Sequence, residues 1–127
     1  MNTNYSVKIA GSSRELTAVE RISIKDISDT IPLGELKADE NIILKPDFYA
    51  ILDVHNEKAE NKDYRVFVIQ DKDGKRYSTS SESFWNSFEN IMDEIEDEKE
   101  DFDYSIKVFC KPSKNYKGKT FLTCNIA

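Results

Sequence analysis

The chain is poor in the residues that punctuate, cross-link or catalyse. Its 127 positions include three prolines, four glycines, two cysteines and one histidine. So little proline and glycine excludes a long linker or a low-complexity chain. Cys110 and Cys124 lack the CxxC spacing of a metal or redox site. Each falls in a strand-like run, so both are expected to be reduced and inward-facing, behaving as small apolar residues. His55 is read as solvent-facing. Nearby Asp53 does not make it a catalytic base, because the sequence places no serine or cysteine beside the pair. There is no glycine-rich phosphate loop and no metal-ligand cluster. The expectation is a non-enzyme without cofactor or metal. No apolar run approaches the roughly 20 residues that cross a bilayer. The opening Met1-Asn2-Thr3-Asn4-Tyr5 is not a secretory signal, so no membrane association is expected, and an intracellular, cytoplasmic site is.

What is there is ordinary in bulk and unusual in distribution. Apolar residues make up 39% and charged residues 33%, as in a globular domain with its own core. The net charge of −6 is unevenly spread. Residues 82–103 carry ten acids and one lysine, a net of −9. Residues 104–127 carry five lysines, no acids and four aromatics, Tyr104, Phe109, Tyr116 and Phe121. A basic, aromatic-laced ribbon on an acidic body suits a polyanion held at one surface and repelled elsewhere.

The periodicities place that ribbon in a β-rich fold. Residues 1–40 read as an N-terminal extension that can add strands, with an edge strand around Tyr5–Ile9. Leu16 to Ile24 alternates as a strand with Val19 out of phase, which leaves a helical turn open. From Asn41 the strand signals strengthen through Ile42-Ile43-Leu44, and Pro46 marks an edge or a bend. Phe48 to Val54 and Tyr64 to Gln70 follow as strands. Asp73-Gly74 is a hairpin turn, because glycine accepts positive φ, and residues 75–78 return. Thr79 stands three residues before Glu82 at capping-box spacing. Phe84, Phe88, Ile91 and Ile95 then form the apolar stripe of an amphipathic helix, widened by Trp85 and Met92, with its aromatics expected in the core. In the last two strands Tyr104, Ile106, Val108 and Cys110, and Thr120, Leu122, Cys124 and Ile126, are expected to face inward. Phe109 and Phe121 then face outward beside Lys107, Lys111 and Lys119, and the spacing leaves open that they stand directly across from one another. They need either a ligand or a cover, and the first forty residues offer the cover.

A helix between the third and fourth of five antiparallel strands is the order of an OB-fold barrel. The expected architecture is therefore mainly β: an OB-fold-like five-stranded antiparallel barrel over 41–127, preceded by the extension. The stretch Asp73-Gly74-Lys75-Arg76-Tyr77-Ser78-Thr79-Ser80-Ser81-Glu82-Ser83-Phe84, with Ser113-Lys114-Asn115-Tyr116-Lys117-Gly118-Lys119, resembles the small single-stranded DNA-binding proteins of tailed phages. The likeness is especially to those of podophages that replicate by protein priming. The resemblance covers roughly residues 40–127. It implies an OB-like protein in the bacterial host cell that coats exposed strands during phage replication, protecting them and preventing reannealing. Replication proteins are candidate partners.

The residues support such a mechanism by themselves. Phe109, Phe121 and Tyr116 offer rings on which bases stack. Lys107, Lys111, Lys114, Lys117 and Lys119 offer phosphate contacts. Tyr49, Arg65, Phe67 and Tyr77 are candidates to extend the surface. The alternative is an acidic protein–protein adaptor or host-factor inhibitor, in which the Glu94–Asp103 run imitates nucleic acid; its bland counterpart is a solvated helix end.

Overall fold

The computed structural model describes residues 5–37, 39–96, 104–112 and 120–127. Among these residues eight strands form two sheets, and the fold is mainly β. β1 (Tyr5–Ser12), α1 (Ala18–Ile24) and β2 (Ile31–Pro32) come first. β3 (Asn41–Leu44), β4 (Pro46–Asn56), β5 (Asp63–Asp71) and β6 (Arg76–Thr79) follow. α2 (Glu82–Glu96), β7 (Ile106–Pro112) and β8 (Thr120–Ile126) complete the chain. The five-stranded sheet has the order β1-β4-β5-β6-β2 and the three-stranded sheet β3-β7-β8. Contacts divide the chain into two compact units, Met1–Pro32 with Asp47–Ser80, and Leu33–Pro46 with Ser81–Ala127.

The described strands do not close the expected five-stranded barrel. Proline has no N–H to continue a ladder, and the chain leaves β3 for β4 at Lys45-Pro46. β3 pairs with β7, while β4 lies between β1 and β5 in the other sheet. The helix does fall between the strands that sequence order assigned to it.

In the first unit, β1 pairs antiparallel with β4, and β2 pairs parallel with β6. Residues 16–24 correct the strand reading. Thr17 caps α1 by accepting from the Glu20 N–H while Glu20 bonds the Thr17 N–H, a full capping box. Ala18, Ile22 and Ile24 belong to a helix that buries Ile24 and leaves Val19 and Ile22 exposed, and Leu16, just before the cap, is buried. Leu16 and Ile24 join Phe48, Ala50, Leu52, Val54, Val66 and Val68 in one apolar cluster. The Arg14 guanidinium lies 4.5 Å from the Phe48 ring centroid and pairs with Glu20 at 2.6 Å. Gly74, at φ +90°, turns β5 into β6, as Asp73-Gly74 predicts.

In the second unit, Ser81 rather than Thr79 caps α2. Its Oγ accepts from the Phe84 N–H at 3.2 Å, whereas Thr79 is held in β6 opposite Phe67. Phe84, Trp85, Phe88 and Met92 are buried, as the apolar stripe requires. Trp85 and Phe88 stack at 5.0 Å, and the indole N–H donates to Glu89 at 2.8 Å. α2 lies against β8.

Two titratable features of this fold can be tested. His55 sits between Asp63, 2.7 Å from Nδ1, and Glu57, 2.7 Å from Nε2. Both partners accept, so only the imidazolium donates to both at once, and these bonds raise the His55 pKa. A raised folded-state pKa contributes stability that is fully present below the ordinary value of 6.5. That contribution is lost as pH rises through the folded-state pKa. Melting curves should therefore show wild type losing stability across this window relative to His55→Gln. Parallel curves would remove His55 from the pH response. Burial pushes the Cys124 thiol up to about 11, so little thiolate forms at neutral pH. Labelling Cys110→Ser with a thiol reagent should be slow in the native state and fast after unfolding; rapid native labelling would contradict the buried thiol.

Candidate nucleic-acid interface

Register builds one surface in the second unit. β7 and β8 pair antiparallel with Ile106 opposite Ile126, Val108 opposite Cys124 and Cys110 opposite Leu122. Ile106, Val108 and Cys124 are buried, so the even-numbered side chains of these strands take the covered face. The two ends of β8 depart from this pattern: Thr120 is exposed, and Ile126 is 48% exposed. The odd-numbered residues occupy the opposite face, and β3 extends it. One row reads Ile43, Lys107, Asn125; the next reads Asn41, Phe109, Thr123; Lys111 stands opposite Phe121.

Phe109 and Phe121 are therefore diagonal neighbours rather than a directly opposed pair. Phe109 faces Thr123 on one side and Asn41 on the other. The Lys107 ammonium lies 5.4 Å and the Lys111 ammonium 5.7 Å from the Phe109 ring centroid. Flanking lysines at two-residue spacing thus set positive charge beside a half-buried ring. Phe121 is 44% exposed, so it is not sealed under a cover. Chemically, the arrangement offers flat apolar area for a base and ammonium groups for phosphates within one patch.

Ion pairing neutralises some basic residues of the other unit. Arg65 pairs with Asp53 at 2.9 Å, and Lys62 with Glu57 at 3.1 Å. Among the described residues, neither Lys107 nor Lys111 forms a salt bridge. Their charge is available to an external anion.

The structure thus brings together Lys107, Phe109, Lys111 and Phe121. It places Tyr49, Arg65, Phe67 and Tyr77 on the five-stranded sheet. Tyr49 is half-buried and Arg65 exposed. Phe67 and Tyr77 are buried at 4% and 7%, so neither ring presents a face to a ligand. They lie in β5 and β6, where alternation does not mark an outer face: Val66, Phe67, Val68 and Ile69 are all buried. Lys114, Tyr116, Lys117 and Lys119 lie outside the described residues. Sequence reasoning missed Asn41, Ile43, Thr123 and Asn125. Ile43 is 53% exposed inside an apolar run, so hydrophobicity concealed its outward position. Asn41, Thr123 and Asn125 could have been found by carrying the alternation across the ladder.

Asn125 has a defined hydrogen-bonding pattern. Its Oδ1 accepts from the Ile126 N–H at 2.8 Å, which leaves the amide nitrogen as donor for another acceptor. Among the described residues no group of His, Cys, Asp and Glu is placed to hold a metal ion. No helix among them is long and apolar enough to cross a membrane.

Residues 25–127 match the phage single-stranded DNA-binding protein family of the phi29 type. The match spans β2 to β8 and includes the whole patch, and the chain belongs to this family. Its function is accordingly the binding of single-stranded DNA in phage replication. β1 and α1 precede the matched residues. No curated protein and no solved structure matches the chain.

Proposed function

Because the chain belongs to a phage single-stranded DNA-binding family, we propose that the strand lies across the outer face of the β3-β7-β8 sheet. Bases stack on Phe121 and Phe109, and Lys107 and Lys111 contact phosphates. The observation that carries this reading is the shared face: two rings and two lysines without ion-pair partners, fixed by one register. Ring stacking and phosphate contact carry little base identity, so binding is sequence-tolerant. Coating by such contacts protects the strand and opposes reannealing.

The segment joining β7 to β8 adds Lys114, Tyr116, Lys117 and Lys119 to the same ribbon in sequence, and they belong to the proposal on that ground. Tyr49 and Arg65 are proposed as secondary contacts, with Arg65 first having to leave Asp53. Phe67 and Tyr77 are left out because they are buried. The order β4, β5, β6, α2, β7, β8, with β3 only Lys45 away from β4, supports reading the core as OB-like and open. Replication proteins are proposed partners. No observation on α2 favours the adaptor reading.

The test is anisotropy of labelled oligo-dT over a series of salt concentrations. Trp85 is buried, so intrinsic emission is a poor reporter of this face. Phe121→Ala should weaken binding by about 1–3 kcal/mol while leaving the melting temperature nearly unchanged. Lys107→Ala and Lys111→Ala should each reduce the slope of log affinity against log salt by about 0.7. Unchanged affinity in Phe121→Ala together with unchanged slopes would place DNA elsewhere.

A further inference from the structure

Four strands end a sheet: β1 and β2 in one, β3 and β8 in the other. An exposed strand edge is a template for another strand unless charge, proline, a bulge or brevity guards it. β1 carries Lys8 and a register shift between Ile9 and Gly11. β2 is two residues long and ends in Pro32, and β3 is four residues long. β8 has none of these guards in its own sequence or ladder. It runs seven residues, Thr120–Ile126, in unbroken register with β7, and contains no charged residue, proline or glycine.

The ladder also shows which groups the edge presents. Ala127 N–H donates to the Ser105 carbonyl at 2.9 Å, one step beyond the Ile106–Ile126 pair. Odd-numbered residues of β8 therefore exchange bonds with β7, and Leu122 and Cys124 direct N–H and carbonyl groups to the free edge. Asn125 covers only the Ile126 N–H. Exposed Phe121 and Ile126 lie near the two ends of this edge.

The strand's own sequence identifies the occupant. Antiparallel self-pairing centred on Thr123 sets Leu122 opposite Cys124 of the partner subunit, and Phe121 opposite Asn125 of the partner subunit. Leu122 and Cys124 share the inner face, while Phe121 and Asn125 share the outer one, so the pleat continues across the seam. No pair opposes like charges, because β8 has none. We propose that two copies of this chain associate through their β8 edges, antiparallel about Thr123, in a sheet with three strands from each copy. The pairing stands on the edge alone. Its consequence, one DNA platform doubled across the seam, rests on the reading proposed above.

Five lysines in residues 104–127 of each copy oppose this approach. Salt screens that repulsion, so it should strengthen pairing while weakening DNA binding. The experiment is sedimentation velocity of the full chain without DNA, from low micromolar to submillimolar concentration, at low and high salt. A dimer that tightens with salt is expected. Thr123→Glu and Thr123→Lys, each facing its twin where side chains approach closest, should each weaken the dimer by about fivefold or more. Mixing the two variants should restore it, which also shows that both are folded. A wild-type monomer throughout, or association insensitive to both variants, overturns the proposal. Phe121→Ala tested for DNA binding below the dimer's dissociation range reports on the DNA face separately, so the two readings fail independently.

Discussion

The period-two alternation of β7 and β8 is the constraint on which the functional face depends. Ile106, Val108 and Cys124 are buried, and covering a large apolar side chain is worth roughly 1.5–3 kcal/mol. A one-residue slip of β7 would expose Ile106 and Val108 and turn Lys107, Phe109 and Lys111 inward. The positions of the outer rings and ammonium groups therefore follow from what the opposite face buries. β3 adds a third strand in the same register, with Leu44 buried and Ile43 exposed.

Charge distribution works with this geometry. Residues 82–103 hold a net of −9 beside the +5 of residues 104–127. Three basic groups of the first unit are paired within it: Arg14 with Glu20, Arg65 with Asp53 and Lys62 with Glu57. Lys107 and Lys111 lean toward an aromatic ring and have no carboxylate partner among the described residues. Cations and a stacking ring thus share one patch, although the whole chain is acidic.

The sequence was most readable where one face is buried and one is not. The inward and outward faces of the last two strands, the stripe of α2 and the Asp73-Gly74 turn all follow from local pattern. It was least readable where apolar residues lie on both sides of a strand, as in Val66 to Ile69. There alternation is silent, and Phe67 and the neighbouring Tyr77, candidates to extend the binding surface, are buried. α1 is hard to read because exposed Val19 and Ile22 mix with buried Ile24 and with Leu16 just before the cap, and seven residues are too few to show a helical period. The capping box at Thr17 was the decisive local signal, while the same spacing at Thr79 was a coincidence overridden by pairing in β6. The split into two sheets was not legible, since it depends on long-range pairing of β3 with β7.

Ultraviolet cross-linking of the protein to oligo-dT, followed by mass spectrometry of the linked peptides, tests the central claim most directly. The account predicts adducts on Phe109 and Phe121. Adducts confined to the five-stranded sheet, with the β7–β8 peptides unmodified, would contradict it.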